Sequence, residues 1–501
     1  MNLARILESH ESDQVALISR GVETTYGELR DQIDHLRGGF AAAGVGAGDR
    51  VAILCGNNRY FVVAYFAAVG LGAVAVPLNP SSPAYEIERE LLVVEPRLVV
   101  IGPIALGAWS KIDAASLESI ETIVVAEGEP PAGALPLDDL MGADPVPIID
   151  VEGDDMAAMM FTSGTAGQPK AAMLSHRNLF SNIEQSLTAG DHVSRGDIVY
   201  AVLPMFHIFG LNVVLGVGMA VGATLILVQH FDPATAAQSI VQRQITVVPG
   251  APPMWIAFSH FDELPADTFS SVRLAVSGAS RLSPAVAERM RDRFGLEVRE
   301  GYGLTEASPV VTSSAGMASR PGSVGRVLGD QEVRLVGDDG DDIPVGDSGE
   351  IWVRGENVFQ GYLNEPEANA RVLVDGWLRT GDIATVDDDG YLYLVDRAKD
   401  LIIVSGFNVF PGEVEQVLQS HPEVAEVGVL GVPHPHNGEA VKAYVVLEEA
   451  ADIDEEQLID FACDFLARYK CPSKVLFVDQ LPRNAAGKLI RRELEGTILD
   501  G

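Results

Sequence analysis

"RVAILCGNNRYFVVAYFAAVGLGAVAVPLN", Arg50 to Asn79, decides the fold class. "RVAILCG" is apolar without alternation, so it reads as a strand buried on both faces. "NRYFVVAYFAAVGLG" reads as a helix, and "AVAVPLN" as the next strand. The same texture recurs in "PRLVVIG", "ETIVVAE", "ATLILVQ", "ITVVPG" and "VRLAVSGA". Continuous rather than alternating apolar strands, separated by helices, predict parallel sheets covered on both faces.

The texture changes from about Val333. "EVRLVGDDGDDIPVGDSGEIWVRG" and "DDDGYLYLVD" place tight Asp-Gly turns between alternating strands, which predicts antiparallel hairpins. After Asp396 the pattern changes again. "EVEQVLQSHP" and "IDEEQLIDFACDFLARY" read as helices, and "VAEVGVLGVP" and "AVKAYVVLEE" as strands. The expected organisation is an α/β protein. A large unit over 1–396 holds parallel α/β sheets and an antiparallel β subdomain, and a small α+β unit covers 397–501.

Composition narrows the function. The 501 residues are 47% apolar and 21% charged, enough for a large core. Acids outnumber bases 71 to 35, for a formal charge of -36. That argues against nucleic acid and against anionic lipid as partners, and any polyanionic substrate would need locally placed cations. The three cysteines, Cys55, Cys463 and Cys471, form no CxxC pair, and a reducing cytoplasm fits. The N-terminus lacks a basic region ahead of an apolar core, so no secretory signal is expected. Ile208 to Val228 is long enough to span a bilayer. Asn212 and several glycines interrupt it, and "GATLILV" reads as a turn and a buried strand, so a buried helix–turn–strand is expected instead.

"FTSGTAGQPKAAMLSH", Phe161 to His176, concentrates glycines, hydroxyls and one lysine. Gly164 and Gly167 stand at the wrong distance from Lys170 for a GxxxxGK[ST] loop. What remains is a loop whose backbone N–H groups can wrap an anion and whose hydroxyls can donate to phosphate oxygens. His434 and His436 lack a third ligand, so they read as a surface loop.

Taken together, "FTSGTAGQPK", "GYGLTE", "GEIWVRGENVFQGYLNEPE", "WLRTGDIA", "DRAKDLIIVSGFNVFPGEVE" and "PRNAAGKLIRREL" resemble, in order, the signatures of the adenylate-forming superfamily. That superfamily contains acyl-CoA synthetases, nonribosomal adenylation domains and beetle luciferases. The resemblance covers essentially the whole chain. Two loop positions depart from the pattern: Ala166 replaces a usual hydroxyl, and Ala171 a usual glycine.

The resemblance implies a reaction in which a carboxylate takes AMP from ATP and pyrophosphate leaves. An anionic nucleophile meets an anionic phosphate, so fixed cations and N–H donors must offset charge. By the same resemblance, Lys488 bridges the acyl carboxylate and α-phosphate, while Glu306 and the Thr162 hydroxyl bind Mg²⁺. Ser163, Gly164, Thr165, Ala166, Gly167 and Lys170 belong to the phosphate loop. Asp382 and Arg397 meet the ribose or phosphate. Tyr302, within Gly301-Tyr302-Gly303 and near Thr305, stacks on adenine, and Gly278, Ala279 and Ser280 line the purine with backbone. His207, in "LPMFHIFGLN", has two open readings: a gate between acyl tunnel and nucleotide, or a satisfied core histidine.

For the second step the resemblance implies rotation of the small unit about Lys399. That brings Ser405, Gly406 and Phe407 to the nucleotide and opens a pantetheine tunnel for CoA. "VSGFNVFPGE" is closest to the fatty acyl-CoA synthetase branch. Segments at "MFHIFGLN", "VVPGAPPMW" and "GASRL" are expected to line an apolar acyl pocket, which favours an aliphatic or simple aryl acid over an amino acid. The alternatives are an acyl-AMP ligase loading a carrier protein, a luciferase-like oxygenase and a non-catalytic nucleotide-binding module. A second copy of the chain is admitted as a partner.

Overall fold

A computed structural model describes residues 1–113, 116–162, 170–318, 320–337, 339–397, 402–404, 407–434, 438–448, 451–466, 468–484, 487–491 and 493–494. Arg50–Leu54, Arg59–Gly70 and Val74–Pro77 form the expected strand, helix and strand, and both strands lie parallel in one sheet. The helix starts where the Asn58 side chain accepts the Phe61 N–H, capping an orphan donor. It is buried along nearly its whole length, which explains its apolar composition all round.

Among the described residues, two sheets of seven and nine strands dominate the large unit. The Val/Ile/Leu runs named above are their parallel strands. The sheets are mixed rather than wholly parallel. Val15–Ser19 pairs antiparallel with Val22–Thr25, and Val298–Gly303 with Val310–Ser313. Met156–Thr162 likewise pairs with Lys170–Ser175. Each of these three pairs is joined by a connection too short for the crossover that parallel pairing needs.

Glu332–Val336, Ser348–Arg354, Trp377–Val386 and Leu392–Arg397 form the expected antiparallel sheet, with Leu373–Val374 at its edge. The small unit builds a separate sheet from Ile402–Val404, Phe407–Val409, Val424–His434, Gly438–Leu447 and Lys474–Phe477. Helices Pro411–Gln419 and Glu455–Phe465 contribute Val414, Leu418, Leu458 and Ala462 to the core of this unit. His434 ends a strand rather than standing in a loop, and among the described residues no group of three metal-ligating side chains occurs.

Ile208–Val228 is helical and then a strand, as expected, but its first part has an unexpected pitch. Phe209–Gly216 is a π-helix, followed by Val217–Val221 and the strand Thr224–Leu227. π-turns are rare and tend to occur at functional sites. Asn212, buried within it, donates to Leu179 O and Ser308 O. Among the described residues no helix is long and apolar enough to cross a membrane.

Cys463 and Cys471 are joined in a disulfide with Cα atoms 5.4 Å apart, and Cys55 is buried and free. A helix end and a turn bring the pair together, so the absence of CxxC spacing says nothing about it.

Candidate functional site

The strands Val247–Gly250, Leu274–Ser277 and Val298–Gly303 are parallel neighbours, and their carboxyl ends open onto one cavity of about 660 Å³. In open α/β sheets this is where ligands bind. Beyond Ser277 the chain passes close under a ring. A Cβ on Gly278 would lie 2.7 Å from Phe209 Cε1, so a larger residue there would have to displace that ring. Ala279 then takes φ +70°, the left-handed region that a side chain rarely adopts. Strained backbone of this kind collects at binding sites.

Thr162 and Lys170 face each other at the end of the hairpin pairing Met156–Thr162 with Lys170–Ser175. Residues 163–169, which include Ser163, Gly164, Thr165, Ala166 and Gly167, lie outside the described residues. Both Thr162 and Lys170 line the cavity. The next helix, His176–Ser186, begins with a capping box between Ser175 and Asn178. Asn178 also donates to Glu356 O and Val358 O, tying this helix to the segment that precedes Tyr362.

Glu306 stands just after the strand Val298–Gly303 and lines the same cavity. Its Oε1 accepts a 2.6 Å hydrogen bond from the Tyr362 hydroxyl. Burial first, and then the charge of Glu306, push that phenol far above its ordinary value, so it remains a donor. Tyr302 donates its hydroxyl to Asp382 Oδ2 at 2.7 Å. Asp382 is buried and pairs in backbone register with Arg397.

From the small unit, Lys488 and Asn484 complete the lining. Lys488 sits on a turn closed by its N–H to Asn484 Oδ1 at 2.8 Å and its carbonyl from Asn484 N at 2.9 Å. The turn lies against the large unit, since a Cβ on Gly487 would be 3.2 Å from Pro253 Cγ. His207 lines the same cavity. Its Nδ1 accepts the Phe209 N–H at 3.3 Å, so the ring proton sits on Nε2. Burial, then the Lys488 charge, push its pKa down to about 4, and the ring is neutral at physiological pH.

The cavity's apolar sleeve is lined by Phe209, Val213, Val214, Val217, Val247 and Val276. It extends the predicted lining by a further turn of helix. Asp191 near its far end is engaged by Arg273 at 2.5 Å.

The cavity thus gathers Thr162, Lys170, His207, Gly278, Ala279, Gly301, Tyr302, Gly303, Thr305, Glu306, Asp382 and Lys488. Ser280 is not among its lining residues, because the left-handed step at Ala279 turns the chain away. Lys399, Ser405 and Gly406 lie outside the described residues, and Phe407 begins the edge strand Phe407–Val409. Tyr362, within "GENVFQGYLNEPE", also lines the cavity, although the sequence did not single it out. For a metal, Glu306 and Thr162 place a carboxylate and a hydroxyl on the cavity wall. That donor set suits a hydrated Mg²⁺ held chiefly by substrate phosphates, not an all-protein cage.

A two-unit α/β chain with a lysine-bearing turn of the small unit closing a nucleotide-sized cavity defines an acid-activating class of enzyme. The chain belongs to the AMP-binding enzyme family: its family model matches residues 3–363, and the AMP-binding enzyme C-terminal domain matches 413–488. It is 38% identical over 476 residues to a feruloyl-CoA synthase of Amycolatopsis sp, covering 95% of this chain and 94% of that one. It is 32% identical to a long-chain-fatty-acid–CoA ligase of Bacillus subtilis (strain 168), covering 96% and 91%. Its fold superposes on ATP-bound MatB from Rhodopseudomonas palustris with TM-score 0.90 at 34% identity, covering 99% of each chain.

Proposed function

We propose that this protein is an AMP-forming acid–CoA ligase acting on an apolar carboxylic acid, aliphatic or simple aryl. The observation that carries the reading is one cavity whose wall combines polar residues, among them Thr162, Glu306, Asp382 and Lys488, with a set of valines, and in which the Lys488 charge acts on His207. Relatives named for both aryl and fatty acids share its length. The sleeve's charged lining residue is already paired, so an ammonium-bearing acid finds no partner there.

In the first half-reaction a carboxylate oxygen attacks the α-phosphorus of ATP, and the bond to pyrophosphate breaks. Lys488 supplies positive charge between the two anions. Neutral His207 holds its Nε2 proton as a donor toward the acyl carboxylate. Asp382, oriented by Tyr302, accepts from ribose hydroxyls, with Arg397 in register beside it. Lys170 and the backbone of residues 163–169 hold the β- and γ-phosphates. Glu306 and Thr162 would hold Mg²⁺, which when bound neutralises phosphate charge.

In the second half-reaction the CoA sulfur attacks the acyl carbonyl and AMP leaves. We place the division between the units at 396/397 and the pivot at Lys399, with Ser405 to Phe407 then lining the pantetheine path. We also place the enzyme in the cytoplasm, where ATP and CoA are supplied. The test is incubation with ATP, Mg²⁺ and a panel of acids, with CoA or a holo-carrier protein, followed by mass analysis. Acyl-CoA is expected. Product on the carrier alone would move the protein to a different acceptor, and no AMP release with any acid would sink the reading.

A further inference from the structure

Tyr362 stands where three parts of the proposed phosphate and metal site meet. Its hydroxyl donates to Glu306 Oε1 at 2.6 Å, and its ring lies 5.3 Å from Lys170 Nζ. The ring is buried and held edge-to-face on Phe359 at 4.9 Å. The backbone around it is fixed to both partners. Gln360 N donates to Met173 O, Met173 N to Gly361 O and Leu363 N to Ala171 O, each at 2.9 Å. These bonds stitch the segment to the strand that starts at Lys170. Phe359 N donates to Glu306 O at 2.9 Å, and Asn369 clamps the Tyr362 backbone through both its N–H and its carbonyl. Glu365, three residues on, lies 3.9 Å from Lys170 Nζ.

We propose that Tyr362 is a positioning residue that couples the phosphate-loop cation Lys170 to the metal-binding carboxylate of Glu306. The hydroxyl holds one carboxylate oxygen, so the carboxylate presents its other oxygen in a fixed direction. The ring face steers the ammonium of Lys170 by cation–π attraction. Hydrogen-bonded neighbours of metal ligands typically change metal affinity by about 10–100-fold. The proposal rests on the ligase reading for its ligands, but the calorimetric titration that tests it needs neither acid nor CoA.

The test is calorimetric titration of ATP into the full chain, with Mg²⁺ and with EDTA, for wild type, Tyr362→Phe and Tyr362→Leu. Thermal melts check that each variant is folded. Tyr362→Phe keeps the ring and removes the hydroxyl. Its ATP affinity in EDTA is expected to stay within about twofold of wild type, while the gain from Mg²⁺ shrinks about tenfold. Half-saturating Mg²⁺ for ATP–pyrophosphate exchange should rise by a similar factor. Tyr362→Leu should also bind ATP several-fold more weakly in EDTA, because Lys170 has lost the ring. A Phe variant with an unchanged Mg²⁺ gain, or with equal losses in Mg²⁺ and EDTA, overturns the proposal. A Leu variant no weaker than Phe in EDTA overturns the link to Lys170. If these ratios behave as expected but no acid supports exchange, the ligase reading fails and the coupling stands.

Discussion

Glu448→Ala should separate the two half-reactions. Glu448 follows the strand Gly438–Leu447 of the small unit, and His260 closes the helix Pro252–His260 of the large one. His260 Nε2 lies 3.0 Å from Glu448 Oε1. Arg289 places NH1 2.9 Å from the same Nε2 and NH2 4.0 Å from the carboxylate. The contact therefore joins the units in the arrangement that puts Lys488 in the cavity. His260 and Glu448 are each 28% exposed, which sets the scale. Fully exposed pairs contribute about 0.2–1 kcal/mol. Nε2 of His260 cannot both accept from Arg289 and donate to Glu448, so the contact counts as one pair near the middle of that range, about 0.5 kcal/mol, or about twofold in the population of this arrangement. ATP–pyrophosphate exchange should fall about that much in kcat/KM, while thioester formation from supplied acyl-AMP should not fall. The difference should fade at about 1 M salt, where the screening length is about 3 Å. Equal losses in both half-reactions, or no loss in exchange at low salt, would refute the reasoning.

Lys488→Ala should cost adenylation about 3 kcal/mol or more of transition-state stabilisation and spare thioester formation from supplied acyl-AMP; half-reaction assays on a folded variant check this, and equal loss in both is the contrary result. Val213→Phe places a ring in the sleeve that Val213 lines. It should cut kcat/KM for the bulkiest accepted acid at least about tenfold and leave the smallest nearly unchanged; a uniform drop across the acid panel would remove Val213 from the acyl path. Glu300 accepts the Leu282 N–H, and desolvation raises its carboxyl to about 7 against the opposing pull of that bond and of Arg281. The folded chain then keeps a proton that the unfolded chain releases near 4.5, so wild-type stability drains away as pH rises from 4.5 to 7. Glu300→Gln has no such proton, and its Tm relative to wild type should climb across that window by the equivalent of about 1–3 kcal/mol, then level off; a flat difference, or one that grows on acidification, would contradict the buried acid.

What the sequence made legible follows the range of the interactions involved. The strand and helix of Arg50 to Gly70 are set by local burial pattern, and the structure keeps both. Asp382 and Lys488 could be singled out because each sits in a compact motif, and both line the cavity. The π-pitch of Phe209–Gly216 was not, because period alone does not separate helix types over eight residues. Nor was the turn away at Ala279, since alanine carries no preference for the left-handed region that it occupies. The least legible features link distant segments. Tyr362 and Glu306 are 56 residues apart, and His260 and Glu448 are 188 apart. Neither pair has a pattern in its own neighbourhood, because the signal is the fit between elements folded separately. Glu306 makes the point chemically: its motif marks a carboxylate suited to a hard cation, but only the fold shows that a buried phenol already holds one of its oxygens. A carboxylate held that way offers a cation a fixed direction rather than a mobile charge, which is the condition for electrostatic preorganisation.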